Sequence, residues 1–235
     1  MKKIFFLSFL ITFSNYFLCA QFDIQNALSQ WNKEVINQAN TAKNAAYLTE
    51  KEKNVIFYTN LVRLQPKLFW ETIAKPFIIE YERREKTKYV LSLENTLLNM
   101  KPVKVYQPNK ELSEAAKFHA EDMGKVGKVG HSSSDGTSFG ARLERFLKQK
   151  TAMAENCAYG SEDPLKTTMQ LLIDEGVEGE GHRVSLLSST YNSMGVSIKP
   201  HKTYNFNTVQ DFARLDINTP NPNKSNPNKS KKKKK

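Results

Sequence analysis

Cysteine is scarce in this sequence. Of the two present, Cys19 and Cys157, the first lies in a stretch that reads as removed on export. Cleavage after Ala20 leaves Cys157 alone, which excludes an internal disulfide even where the compartment permits one. Stability must then come from the core. Acidic residues are missing from both ends: residues 1–20 hold Lys2 and Lys3 and no acid, and Asn218–Lys235 holds seven lysines and no acid. Setting aside those two and seven lysines lowers the formal charge from +11 to +2. The body is nearly neutral, so a nucleic-acid footprint across the fold is not expected. The patterns HExxH and GxSxG are absent as well. The apolar run Ile4–Phe13 is short for a bilayer span, and Ser14, Asn15 and Tyr16 dilute its end.

What is present divides the chain into four parts. Residues 1–20 have the form of a secretory signal: Lys2-Lys3, the apolar run, then Leu18-Cys19-Ala20 before Gln21. The protein is therefore expected to be secreted, periplasmic or held at the cell envelope. Lipid attachment at Cys19 is the lesser expectation, because Phe17-Leu18 lacks the small residue such processing uses. Residues 21–48 read as an N-terminal helical extension around Trp31, Val35, Ile36 and Ala39. Residues 49–215 form the main domain. Residues 216–235 are low in complexity, with a PNPNKS/NPNKS near-repeat, and cannot bury enough apolar area to fold. They read as a solvated tail, or as a salt-sensitive tether to an anionic envelope surface.

Within the domain, Thr49-Glu50-Lys51-Glu52 is a capping box that opens a helix through Val62 and Arg63. Pro66 ends or restarts it, and Pro76 is a further expected break. Val103–Tyr106, between Pro102 and Pro108, reads as a short edge strand. Asn109 caps a helix that Gly124 should end. Its apolar face carries Leu112, Ala116, Ala120 and Met123, with His119 among them, so His119 reads as a core histidine rather than a ligand. Thr137 or Ser138 starts the next helix, and Asp163-Pro164 starts another. Alternation over Met194–Ile198 and Tyr204–Phe212 predicts a β-hairpin with one buried face. The expected fold class is α+β, with a small antiparallel sheet of about three strands flanked by helices.

Chemistry concentrates between Gly130 and His182. His131 lies in a loop rich in glycine and serine, GHSSSDG (Gly130–Gly136). Ser132 to Ser134 beside it hint weakly at a serine nucleophile. Glu155 is flanked by Met153, Ala154, Cys157 and Ala158, an apolar setting in which a carboxylate needs a partner. Helical projection from Leu165 places Glu175 at the edge of the buried face and Asp174 toward water. Glu178 and Glu180 follow in a glycine-rich loop, and His182 opens a short apolar segment. Imidazoles beside carboxylates suit either a divalent-metal site or acid–base chemistry.

These residues carry a family resemblance. NLVRLQPKLF (Asn60–Phe69), ELSEAAKFHAEDM (Glu111–Met123), GHSSSDG, AEN (Ala154–Asn156), IDEGVEGEGHR (Ile173–Arg183) and YNSMGVSI (Tyr191–Ile198) resemble the CAP superfamily, or SCP domain, in its secreted bacterial branch. The resemblance implies an α-β-α sandwich with a cleft lined by His131, Glu155, Glu175 and His182. That set suits a divalent metal, Zn²⁺ first. Two functions are then open. One is an exported binding module for a metal and a lipid, sterol-like or peptide ligand. The other is a metal-dependent envelope or extracellular hydrolase, with Glu155 and Glu175 as acid and base. The chain departs from eukaryotic members by lacking their disulfides and by continuing after His182 as RVSLL.

Overall fold

The structure is a computed structural model that describes residues 22–81 and 86–216. The expected export segment and the lysine-rich run from 217 lie outside the described residues, as do 82–85 of the charged stretch.

Helix α3 (Glu50–Leu64) begins at the expected capping box: Thr49 Oγ1 accepts from Glu52 N (3.3 Å) and Glu52 Oε2 accepts from Thr49 N (2.9 Å). The remaining oxygen, Glu52 Oε1, accepts from Ile198 N at 3.0 Å, so the cap also fastens α3 to the sheet. Two short helices precede it, α1 (Ile24–Ser29) and α2 (Lys33–Ala39). Ala27, Trp31 and Ala39 are buried in the same core as α3, and Trp31 Nε1 donates to Thr72 Oγ1 at 3.0 Å. Pro66 restarts the helix as α4 (Pro66–Phe69), but Pro76 does not break the chain's helical course. The backbone runs through it with wide π-helical turns at Trp70–Ala74 and Phe77–Tyr81. Such turns bond five residues back, which relieves the ring clash and missing donor that expel proline from a regular helix.

After α5 (Lys88–Asn99) the expected strand at Val103–Tyr106 is not one. The side chain of Asn60 takes the place of a neighbouring strand: its Oδ1 accepts from Tyr106 N (2.7 Å) and its Nδ2 donates to Tyr106 O (3.1 Å). The strand proper, β1, is Gln107–Pro108 and pairs in parallel with β3 (Ser193–His201). The sheet is four-stranded, mixed rather than wholly antiparallel, in the order β1-β3-β4-β2, with β4 at Asn205–Ala213. The additional strand, β2 (Met153–Tyr159), lies at an edge, antiparallel to β4. Its sequence shows no simple alternation because Glu155 to Ala158 are all buried, on both faces in turn.

Helices cover both faces, as expected for an α-β-α sandwich. Ala158, Met194, Val196 and Phe212 pack against α3 and against α8 (Pro164–Ile173) and α9 (Gly181–Leu187). Cys157, Val209 and Ala213 face α6 (Lys110–Val126) and α7 (Phe139–Leu147). Helix α6 ends not at Gly124 but at Gly127, whose φ of 73° supplies the left-handed cap. Gly124 is needed for close approach: a Cβ there would overlap the Pro200 carbonyl oxygen, and one at Gly195 would overlap the backbone of Leu112 and Ser113.

Gly195→Ala should therefore destabilise the fold by about 1–3 kcal/mol or more, by overpacking the α6–sheet contact. Gly140→Ala, in α7 with open space around it, should stabilise by up to about 1 kcal/mol. Urea denaturation of the two variants checks both signs.

Candidate functional site

Alternation along β2 sends Glu155 and Cys157 to the α6/α7 face. Register sets Glu155 opposite Asp211 on β4, and Asp211 opposite Gly195 on β3. Above this row sits Arg142 from α7, 0% exposed. Its NH2 donates to Glu155 Oε2, and its NH1 donates to Ser133 Oγ (2.9 Å) and His131 O (3.2 Å). The loop carrying His131 is thereby clamped to the strand. Gly130 N donates to Tyr159 Oη (2.9 Å), and Ser134 N and Oγ donate to Asp122 at 2.7 and 2.5 Å. Ser133 and Ser134 are thus committed to holding the loop, which removes the reason to read them as nucleophiles.

His131 Nδ1 lies 3.0 Å from Glu155 Oε1 and 3.8 Å from Cys157 Sγ. Facing an ionised carboxylate, which only accepts, Nδ1 must carry the hydrogen. The imidazole side chain is 48% exposed and that of Glu155 0%. Burial pushes the Glu155 pKa up, but the His131 hydrogen bond and the Arg142 charge outweigh it and hold the carboxyl below its usual range. Asp211 is the reverse case. Burial and the Glu155 charge push it well above the usual range, with Arg142 opposing. As a carboxylate, neither of its buried oxygens would meet a donor. A protonated Asp211 would leave the row with one negative charge beneath one guanidinium, in line with the upward shift. Burial likewise pushes the Cys157 thiol well up, helped by Glu155.

His182 is held by Asp174. Asp174 Oδ1 accepts from His182 Nδ1 (2.6 Å), and Oδ2 accepts from the backbone N–H of His182 (2.9 Å) and Arg183 (3.3 Å). The projection that sent Asp174 to water fails because α8 stops at Ile173. Asp174 takes a left-handed conformation (φ 57°) and is 3% exposed, while Glu175 is exposed. The two helix ends complete each other: Asp174 caps the start of α9, and Arg183 of α9 donates to Leu172 O (2.5 Å) and Ile173 O (2.8 Å) at the end of α8. Asn156 Nδ2 joins this corner to β2 by donating to His182 O (3.1 Å).

Two imidazole–carboxylate pairs therefore flank the edge strand. A cavity of about 480 Å³ along that edge is lined by Cys157, Tyr159, Lys166, Asp174, Glu175 and His182 among others. Cys157 is the link, touching His131 on one side and lining the cavity with His182 on the other. Among the described residues one group could also hold a metal ion, His119, Glu155 and Cys157, whose ligand atoms lie within 4.8 Å of one another. His119 is a core residue, as expected, but only half satisfied: Nε2 meets Gly130 O at 2.9 Å while Nδ1 has no partner. Sequence reasoning missed Arg142, Asp211 and Asp174 as parts of the site, and did not count Cys157 in it. The apolar flanks of Glu155 were the one signal that a buried cation was required.

Arg142→Met should cost about 3–5 kcal/mol, since it strands a buried acid. Asp211→Asn should be neutral or stabilising near pH 7. A raised folded-state pKa gives stability at acid pH that falls as pH rises from about 4 through the raised value. The variant's advantage over the wild type should therefore widen with pH above 4, which denaturation at a series of pH values measures.

The chain is similar to parts of several solved structures. An extracellular SCP-domain protein of Bacillus anthracis aligns at 24% identity and a TM-score of 0.40, over 48% of this chain and 35% of its own. An outer surface protein of Borrelia burgdorferi aligns at 14% identity and 0.41, over 57% of this chain and 97% of its own. A cysteine-rich secretory protein of Staphylococcus aureus aligns at 18% and 0.36, over 54% and 36%. The chain thus spans well under half of the Bacillus and Staphylococcus proteins. No curated protein matches it. The sequence family described as the cysteine-rich secretory protein family, CAP, matches residues 34–212, from α2 to the end of the hairpin. With that match spanning most of its length, the chain belongs to the CAP family of cysteine-rich secretory proteins.

Proposed function

We propose that this is an exported CAP-domain binding module whose cleft, along the open edge of β2, takes a peptide-like ligand together with a divalent metal ion, zinc. The observation that carries the reading is the pairing of both imidazoles: His131 Nδ1 on Glu155 and His182 Nδ1 on Asp174. A metal-binding histidine characteristically gives its other ring nitrogen to a carboxylate, which fixes the tautomer and leaves Nε2 as the ligand atom. The donor types suit such an ion, with His182 in the cavity lining and His131 beside Cys157, which lines it as well. His131 and His182 would hold it, Glu155 and Asp174 would orient them, and Glu175 stands on the cavity rim. The bound ion would supply a point of Lewis acidity for a carbonyl or carboxylate of the ligand.

The cavity lining favours a peptide over a sterol. Lys166, Gln170, Asp174 and His182 stand among Leu171 and Ile173, a mixture suited to backbone amides and carbonyls. The hydrolase alternative would ask Glu155 to exchange protons. A carboxylate bound to Arg142 and held below its usual range is better suited to orienting His131 than to accepting a proton. The lysine-rich end would then keep the exported protein near anionic envelope surfaces.

His131→Ala and His182→Ala should each weaken zinc binding at least tenfold by titration calorimetry. Binding unchanged in both variants sinks the metal reading. Asp174→Asn should weaken zinc by about 10–100-fold as an orienting group, whereas Glu175→Gln should not; the opposite order makes Glu175 the ligand. Deleting Asn218–Lys235 should abolish salt-reversible retention on anionic vesicles, and equal retention without it refutes the tether.

A further inference from the structure

We infer that the protein has a second metal position, inside the α6/α7 face of β2, in which His119, Cys157 and Glu155 hold a borderline-soft ion of the zinc class. This site shares Glu155 with the cleft reading, as a ligand here and as the partner of His131 there. It rests on two residues, His119 and Cys157, that the cleft ion does not use.

The first ground is the tautomer of His119. Its Nε2 lies 2.9 Å from Gly130 O. A carbonyl only accepts, so Nε2 carries the hydrogen and Nδ1 is a bare lone pair. That lone pair is fully buried on a residue of 0% exposure and has no partner among the described residues. A stranded buried acceptor costs about 1–3 kcal/mol, and a cation is what a lone pair with no donor can accommodate.

The second ground is what surrounds it. The ligand atoms of His119, Glu155 and Cys157 lie within 4.8 Å of one another. Bonds of about 2.0–2.3 Å at tetrahedral angles put ligand atoms roughly 3.3–3.8 Å apart, so shifts of rotamer size close the set. His131 Nδ1–H, 3.8 Å from Cys157 Sγ and donating to Glu155 Oε1 at 3.0 Å, borders the set on the side where a water would complete it. Outer supports already exist. The Gly130 carbonyl fixes the His119 ring, and Arg142 fixes Glu155 through Oε2, which leaves the second oxygen turned to His131.

The third ground is ligand chemistry. One nitrogen, one sulfur and one oxygen select zinc or cobalt over the hard ions calcium and magnesium, which want oxygen alone. Cys157 gives up its thiol proton to solvent as it ligates. The Arg142 charge works against any cation here. Glu155 cancels it, and the Cys157 thiolate formed on ligation supplies further negative charge.

Cobalt(II) is the probe, read by its near-ultraviolet thiolate charge-transfer band. Wild-type protein should show the band, His182→Ala should keep it, and Cys157→Ser and His119→Gln should each lose it. The two losing variants should also bind cobalt at least tenfold more weakly at this position. A cobalt complex with no thiolate band, or a band that survives His119→Gln, overturns the site. Should either variant fail to fold, alkylation of Cys157 in the His182→Ala protein decides. Zinc should slow it at least tenfold while magnesium does not, and equal rates with and without zinc overturn the proposal. Loss of zinc in His182→Ala with no protection of Cys157 would leave the cleft ion standing and remove this one.

Discussion

A buried guanidinium meeting a buried carboxylate is the constraint on which the site depends. Arg142 and Glu155 both have side chains shut off from solvent, and neither charge could remain there without the other. Their union decides more than its own stability. It fastens the His131 loop to β2 through Ser133 and the His131 carbonyl. It turns one Glu155 oxygen toward the His131 ring. With only one positive charge above the row, burial and the Glu155 charge also push the opposite acid, Asp211, well above its usual range. Charge, tautomer and loop position follow from one contact.

Much of the site was legible because it sits in short local patterns. His131 in its glycine-serine loop, Glu155 among apolar neighbours and His182 at a helix start were all visible. What stayed hidden depended on partners distant in sequence. Arg142, in FGARLERFL, looks like an ordinary cation on a helix surface, and its burial is decided by a strand that comes after a loop. Asp211 sits between Gln210 and Phe212 in a strand whose alternation suggested one wet face. Helices on both sides leave no wet face, so the odd residues of β4 and β2 are buried too. The choice between Asp174 and Glu175 failed for a local reason: projection assumes that the helix continues, and a single left-handed residue rotates everything after it. Pro76 and Val103–Tyr106 misled in the same manner, since a wide turn and an asparagine side chain replaced the regular hydrogen bonds that proline and strand rules presuppose.

Arginine side chains tie separate segments of this chain together. Arg63 donates to Lys104 O and Leu186 O (each 2.8 Å) and Ser188 O (2.9 Å), and stacks 3.8 Å over Tyr106. Arg183 reaches Leu172 O, Ile173 O and Tyr89 O. Arg142 clamps the His131 loop. Each guanidinium spreads several donors from one plane and so satisfies carbonyls from separate segments at once. A chain with Cys157 as its sole cysteine beyond the expected export segment can thus hold irregular connections in place without covalent bridges.

The reciprocal caps between α8 and α9 separate two tasks along the chain. Asp174 and Arg183 lock the helix ends to each other, and Glu180 steadies Arg183 from the intervening turn at 3.5 Å. The turn also contributes Glu175 and Val177 to the cavity lining, so substitutions there would reshape the mouth of the groove while Asp174 goes on aiming the imidazole behind it.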